Sequence, residues 1–486
     1  MWHLAVALHA AFAALCGTLV ALFLALVCVP CLHVPVRARL RPWTIHHVES
    51  GLEWVVAAQR LQTPWLTRLF TQSSHSVSVT FYASFLPILF WLGLPELGRN
   101  LVFLMSLALY VGNAIKDLVC APRPLGVAYG KQKLQFLGAS DEEIELNAKE
   151  YGLPSSHTLN TLCLNYAFVW YLHDRELIAP GTAAVLYSLV ALWVVWIAAS
   201  RLYLGLHTPI DILAGAVAGL AVLVCFISIE GLLARWVTSG PAAVTHAALV
   251  CLVLLRLYPR PLAHTPSYEF STSFMGAMFG IVVGVAWVSP HAHQPGIQLA
   301  QVWSPSHVLL GSRLLWAARR LGVGFVAVAA MKEASRTVLL VSLPLLYHFF
   351  PLRVRALWQP PMHNLYTGKV AGAAPAQDGG PAGAAGAAAG ASGEPADTAA
   401  ARQRVLRPRR GTRSDAQEAG GDGRGSSGGT AALTSTLPDA RRLAALPHNA
   451  HGVPWDVDVT SRFFAYAAIG VAVAGVTPRL LDALGW

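Results

Sequence analysis

Runs of apolar residues close to the ~20 needed to cross a bilayer recur along much of this 486-residue chain and limit what it can fold into more than any other feature. They lie at about 4–31, 76–95, 100–118, 157–173, 181–199, 209–231, 241–257 and 272–289, with further candidates at about 321–331, 337–352 and 462–478. Hydrocarbon offers no water to a bare N–H or C=O, so each run must satisfy its backbone internally. Helices do this and an open sheet does not. The expected fold is all-α, a polytopic transmembrane helical protein with eight to eleven spans in total.

Composition agrees. The chain is 55% hydrophobic and only 12% charged, against about 25% charged residues in soluble domains. Its net charge of +10 could point to nucleic acid, but Lys and Arg are dispersed among membrane flanks, short motifs and a low-complexity tract. A juxtamembrane role is expected instead, with no nucleic-acid partner. The first run is too long for a secretory signal, lacks a positive n-region and continues into Arg37, Arg39 and Arg41, so it reads as a retained first span or signal anchor. Seven Cys sit within or beside apolar runs, where a thiol behaves as a small hydrophobe, so no disulfide framework is implied. Cys28 and Cys31 have C-x-x-C spacing without a thioredoxin-like context. From about 366 to 455, Gly, Ala, Pro and Arg dominate, and too little apolar surface is available to fold. The expected organisation is an N-terminal span and basic flank (1–50), a membrane domain that holds most of the charge found at span ends (51–231), additional transmembrane helices (232–352), a disordered region (353–460) and a C-terminal span (461–486).

Three segments place charge at the ends of these apolar runs: Lys116 to Pro124 (K-D-L-V-C-A-P-R-P), Pro154 to His157 (P-S-S-H) and Ser200 to Asp211 (S-R-L-Y-L-G-L-H-T-P-I-D). The first closes one run and the second opens the next, so a single loop joins them on one membrane face. The third follows two runs later, and an even number of crossings returns it to that face. The three can meet.

Their residue types suit phosphate transfer, in which positioning and electrostatic stabilisation dominate. Lys116, Arg123 and Arg201 supply positive charge, the arginines as planar forks matched to two phosphate oxygens. Ser155 and Ser156 precede a helical run, where backbone N–H groups form an anion site. His207 stands four residues before Asp211, a spacing read as one helix face, so the carboxylate holds one ring nitrogen protonated and frees the other to attack phosphorus. His157 is then placed to protonate the leaving alkoxide and later to activate water. Thr208, Pro209 and Asp211 also read as a helix start, with Thr208 as N-cap. With three cations over the phosphate and no carboxylate pair in the motifs, no metal and no cofactor is expected. Asp141, Glu142 and Glu143 read as a solvated helix start.

The three segments together resemble the signature motifs of the type 2 phosphatidic acid phosphatase superfamily, which lipid phosphate phosphatases share with bacterial acid phosphatases and vanadium haloperoxidases. The first reads K-x6-R-P and the third S-R-x5-H-x3-D, both complete. The second departs from the usual P-S-G-H by Ser156, as in the sphingoid-base phosphate branch, and Tyr151 to Thr158 is most similar to long-chain base 1-phosphate phosphatases of plants and algae. The resemblance covers about residues 50 to 230. It implies a six-helix catalytic core and phosphate binding by Lys116, Arg123, Ser155, Ser156 and Arg201. It also implies His157 as acid, His207 as nucleophile with Asp211 as its partner, no metal requirement, and an endoplasmic reticulum membrane location with a lumenal site. Arg37, Arg39, Arg41, Arg60 and Arg68 argue the other way, since the positive-inside rule would put that face in cytosol. An interfacial helix over 50–70, anchored by Trp54 and Trp65, would blunt the rule.

The expected function is hydrolysis of sphingoid long-chain base 1-phosphates to the free base and phosphate through a phosphohistidine, with lipid phosphate substrate and membrane lipids as partners. Broad phosphatidic acid or isoprenoid phosphate hydrolysis is the alternative within the class, and a noncatalytic transporter or scaffold the alternative outside it. Retention of His157, His207 and Asp211 together argues against the last.

Overall fold

The computed structural model describes residues 2–125, 128–129, 132–263, 265–290, 310–349 and 455–485. Helix α1 (Trp2–Val27) leads into three further helices, α2 (His33–Ser50), α3 (Leu52–Gln59) and α4 (Pro64–Ser74). Then come α5 (Val79–Trp91), α6 (Pro95–Val119), a two-residue hairpin of β1 (Ala128–Tyr129) and β2 (Gln132–Lys133), and α7 (Asp141–Ala148). Helices α8 (Ser156–Asp174), α9 (Pro180–Tyr203), α10 (Pro209–Val237), α11 (Ala242–Arg256) and α12 (Ser267–Val283) follow, α12 running on through a π turn to Val288. The last three are α13 (Leu310–Phe349), α14 (Trp455–Val471) and α15 (Thr477–Ala483).

Local chemistry sets many of these bounds. Ser78 caps α5 by accepting from Phe81 N at 3.1 Å, and Thr63 caps α4 with Pro64 in the first turn. Seven helices among the described residues are long and apolar enough to cross a membrane, and α5 and α11 are shorter apolar helices. The protein is a multi-pass membrane protein of the expected all-α kind, the small hairpin apart. The run at 321–331 and the described part of the run at 337–352, to Phe349, lie in one continuous helix, α13, rather than in two spans. Met331 to Arg336 between them contains good helix formers and neither Gly nor Pro, so nothing breaks the hydrogen-bond ladder.

Helix α6 is the axis. Buried residues make up 83% of its span, against 11% in α9 and 6% in α13, which lie at the perimeter with residues such as Leu192 and Val195 turned outward. Helices α5, α8, α10 and α12 all pack on α6, with α9 against α8 and α1 against α10. Where apolar surface is equally at home in lipid, close packing has to come from shape, and small residues provide it. A Cβ at Gly215 of α10 would stand 2.6 Å from Ser155 O, and one at Gly219 would stand 3.2 Å from the Leu159 backbone of α8. These two glycines let the N-terminal ends of α8 and α10 touch. Helix α12 approaches α14 in the same way through Gly276 and Gly280. It is tied to α6 by Ser106 Oγ donating to Phe274 O at 3.1 Å and Thr265 Oγ1 donating to Asp117 at 2.9 Å. Far from the motifs, Asn100 and Arg175 donate to Glu230 at 2.6 and 3.2 Å, joining α6, α8 and α10 at their other ends.

The basic flank is used structurally. Arg37 donates to Leu118 O at 2.8 Å and Asp117 O at 2.9 Å, and Arg41 to Cys120 O at 3.2 Å, capping the carbonyl end of α6. Two of the charges counted for orientation are thus committed to a helix terminus. Trp54 and Trp65, in the short helices α3 and α4, are exposed, and all seven cysteines are free.

The Gly/Ala/Pro/Arg-rich tract lies outside the described residues as far as 454, and α14 begins at Trp455, a few residues before the 461 boundary expected for the last span. Deleting about 370–450 should leave phosphate release by the purified protein within a few-fold of the full chain, because a site needs rigid support to within about 0.5 Å and this tract's composition offers none. A folded but inactive deletion protein would show the reverse.

Candidate active site

Each motif sits at the end of a packed helix. Helix α6 ends at Cys120, whose φ of 58° turns the chain out of the helix and whose N donates to Lys116 O at 2.8 Å. Lys116 is therefore in the last turn, with Arg123 just beyond. Ser155 caps α8: its Oγ accepts from Thr158 N and Thr158 Oγ1, at 3.5 and 3.2 Å. Backbone bonds join the segments: Gly152 N donates to Ala121 O at 2.9 Å between the first two motifs, and Ser155 N donates to Asp211 O at 2.9 Å between the second and the third.

The third motif folds as a capping box. Asp211 Oδ2 accepts from Thr208 N at 2.8 Å and Thr208 Oγ1 at 3.0 Å, with Pro209 at the first helical position. This corrects one expectation: His207 and Asp211 do not share a helix face, because α10 starts at Pro209 and cannot extend back past its cap. The tight turn nevertheless puts His207 Nδ1 3.7 Å from Asp211 Oδ2, close for an ion pair and too long for a hydrogen bond.

Lys116, Arg123, Ser156, His157 and His207 line one cavity of about 140 Å³. Two other expected phosphate ligands do not line it. Arg201 is buried, with its guanidinium bonded to Ser74 and to Ser200 Oγ, the latter at 3.1 Å, and the Ser155 side chain is committed to its helix cap. Burial, then the positive charge of Arg123, Lys116 and Arg201, lowers the His207 imidazole well below its ordinary range, so the ring is neutral near pH 7.

Sequence reasoning missed several residues that the fold brings here. Asn113 of α6 and Asn160 of α8 line the cavity, and so do Tyr82 of α5 and Phe270 and Phe274 of α12. Asn160, one helical turn past Ser156, was within reach of a spacing argument. The aromatic wall was not, since α12 lies more than a hundred residues from the first two motifs. Glu150 also faces the cavity: its Oε2 accepts from Lys116 Nζ at 3.1 Å and Arg123 Nη2 at 2.6 Å. Burial alone would raise its carboxyl, but the two cations outweigh it and hold the group at about 2. A second cavity of about 90 Å³, almost wholly apolar, lies between α5, α6, α12 and α14 and shares Val79, Tyr82 and Phe274 with the first.

A cavity with cations at one side and imidazoles beside them has the chemistry of a phosphate-handling enzyme. A family model described as the PAP2 superfamily matches residues 97–235, which hold all three motifs. Lipid phosphate phosphatase delta of Arabidopsis thaliana is 33% identical over 68% of this chain and 77% of its own length. Dihydrosphingosine 1-phosphate phosphatase YSR3 of Saccharomyces cerevisiae is 26% identical over 50% of this chain and 59% of its own, and sphingosine-1-phosphate phosphatase 2 of Homo sapiens is 24% identical over 59% and 68%. The crystal structure of a transmembrane PAP2 type phosphatidylglycerolphosphate phosphatase from Bacillus subtilis aligns over 42% of this chain and 92% of that one, at 18% identity and a TM-score of 0.32, too distant a likeness to bear on the fold. The chain belongs to the PAP2 superfamily and is a lipid phosphatase of that family.

Proposed function

We propose that the protein hydrolyses sphingoid long-chain base 1-phosphates to the free base and phosphate through a phosphohistidine at His207, within the endoplasmic reticulum membrane and with its site on the lumenal side. The observation that carries the substrate reading is the pairing of the cationic cavity with the apolar one beside it, which gives a phosphate head a polar seat and an alkyl chain a dry one. Ser156 in the second motif and the similarity to the yeast and human sphingoid-base phosphate phosphatases favour the sphingoid branch.

In this mechanism Lys116 and Arg123 hold the phosphate oxygens and neutralise the charge that spreads over them in the transition state. The neutral His207 nitrogen attacks phosphorus and forms a P–N bond as the P–O ester bond breaks. His157 gives its proton to the departing alkoxide, then takes one from water, which attacks phosphorus and releases phosphate with His207 restored. Asp211 supports the positive charge that grows on His207, its 3.7 Å approach tightening as that charge develops. Arg201, held by Ser74 and Ser200, contributes field rather than a direct grip.

The test is phosphate release by purified protein in detergent, with excess EDTA, from dihydrosphingosine 1-phosphate, phosphatidic acid and an isoprenoid phosphate. Release from the sphingoid substrate is expected to be at least about tenfold more efficient than from the others, the scale on which a few polar contacts discriminate. Loss of activity on chelation and its return with magnesium would overturn metal independence. Preference for phosphatidic acid would overturn the branch, and no turnover of any substrate would favour the noncatalytic reading.

A further inference from the structure

Among the described residues lining the catalytic cavity, Glu150 alone carries a carboxylate. A site that needs only to bind a phosphate dianion has no use for one: a fixed negative charge repels the substrate, and this one sits on the cations that should receive it. One oxygen, Oε2, bridges Lys116 Nζ and Arg123 Nη2, where a phosphate oxygen is expected to bind. Glu150 also stays ionised at any working pH, so protonation does not remove the conflict. Its backbone is set between fixed points: Glu150 N donates to Asn147 O at 3.2 Å, and Gly152 N donates to Ala121 O at 2.9 Å. The side chain, whose hydrogen bonds among the described residues go to the two cations, can turn away from them while its Cα stays at the cavity rim.

An incoming phosphate displaces the Glu150 carboxylate from Lys116 and Arg123, and the displaced group needs a new positive partner beside the phosphate. Phosphatidic acid and isoprenoid phosphates bring none. A sphingoid base 1-phosphate brings an ammonium on the carbon next to the one bearing the ester. We propose that Glu150 is the specificity-determining residue of this site: in the empty cavity its carboxylate stands in for the phosphate, and in the substrate complex it accepts a hydrogen bond from the ammonium of the bound sphingoid base. The cavity then presents cations to the phosphate and an anion to the amine, the complement of a zwitterionic head group. The inference rests on the substrate class proposed above.

The experiment compares wild type with Glu150→Gln, which keeps shape and hydrogen-bonding capacity but loses the charge. Substrates are dihydrosphingosine 1-phosphate and its N-acetyl derivative, which has the same chain with the amine neutralised as an amide. Wild type should favour the free amine, and Glu150→Gln should reduce the amine-to-amide ratio of kcat/KM by about 10- to 100-fold, the range for losing one hydrogen bond to a charged group. Inorganic phosphate as inhibitor gives a second readout that needs no turnover of either lipid. It has no ammonium and must displace the carboxylate in wild type, so its inhibition constant should fall by about tenfold or more in Glu150→Gln, by removal of one charge-assisted contact. A residue that merely positions Lys116 and Arg123 would make phosphate bind more weakly on substitution, and would lower kcat/KM for amine and amide alike; either result overturns the proposal. A wild type that prefers the amine while Glu150→Gln keeps that preference also overturns it but leaves the substrate class standing. A wild type with no preference for the amine overturns both.

Discussion

Replacing His207 by alanine is expected to abolish turnover, by about 10⁶-fold, the scale seen when an attacking nucleophile is removed, and to abolish covalent labelling with it. Wild type quenched during turnover in alkaline denaturant should carry acid-labile, base-stable phosphate on His207. The ring is buried beside Arg123, Lys116 and Arg201 and is lowered well below the ordinary imidazole range, and a lowered value means that the neutral form persists to more acid pH. Label yield should therefore hold between pH 7.5 and about 6, where a free imidazole of pKa about 6.5 would already be largely protonated. His157→Ala is a different lesion. It should slow turnover of lipid substrates by about 10²–10⁴-fold, the usual contribution of a positioned acid. On an aryl phosphate, whose leaving group needs no proton, it should recover most of the rate of P–O cleavage. Full activity in His207→Ala would remove the mechanism altogether.

The second large effect is expected far from any reacting atom, at Gly215. A Cβ there would stand 2.6 Å from Ser155 O, so even alanine must push α10 away from the N-terminus of α8. Gly215→Leu cannot be accommodated by a rotamer change, because the obstruction is backbone. That interface holds the His157 end of α8 against the His207 and Asp211 end of α10, joined directly by Ser155 N to Asp211 O at 2.9 Å. Displacement of reacting groups by about 1 Å costs about 10²-fold in rate, and overpacking of this kind costs about 1–3 kcal/mol in stability. Gly215→Leu is expected to lose at least about 100-fold in kcat while still inserting and purifying as a folded protein, with a lowered unfolding temperature. A substitution to leucine at Gly231, where a Cβ meets nothing within 4 Å, is the matched control. Equal activity in the two variants would mean that the α8–α10 approach does not align the site.

The membrane-spanning pattern was legible because it is a property of composition over a length of chain, which the bilayer reads without regard to what packs where. The span count needed more. The two runs in α13 fuse because the polar residues between them, from Met331 to Arg336, are good helix formers that interrupt the hydropathy without interrupting the helix. The capping boundary at Thr208, Pro209 and Asp211 was legible because a helix start is settled by the few residues that make it. The expectation that His207 and Asp211 lie on one helix face failed for the same local reason, since the cap that starts the helix leaves His207 outside it.

By itself, the sequence determined the chemistry on offer: Lys116 and Arg123 at one helix end, Ser156 and His157 at the start of another, His207 and Asp211 about a third, all returned to one membrane face by an even number of crossings. Side-chain type and spacing suffice for that, because charge in an apolar chain is tolerated at few places other than segment ends and functional sites. Tertiary structure decided which of these groups face the cavity. It withdrew Arg201 and the Ser155 side chain into Ser74 and the α8 cap, brought Phe270 and Phe274 of α12 into the wall, and laid the Glu150 carboxylate across Lys116 and Arg123. Those outcomes follow from how closely helices approach at Gly215 and Gly280 and where a loop lands when they do. They are distances between residues far apart in the chain, and no local pattern encodes them.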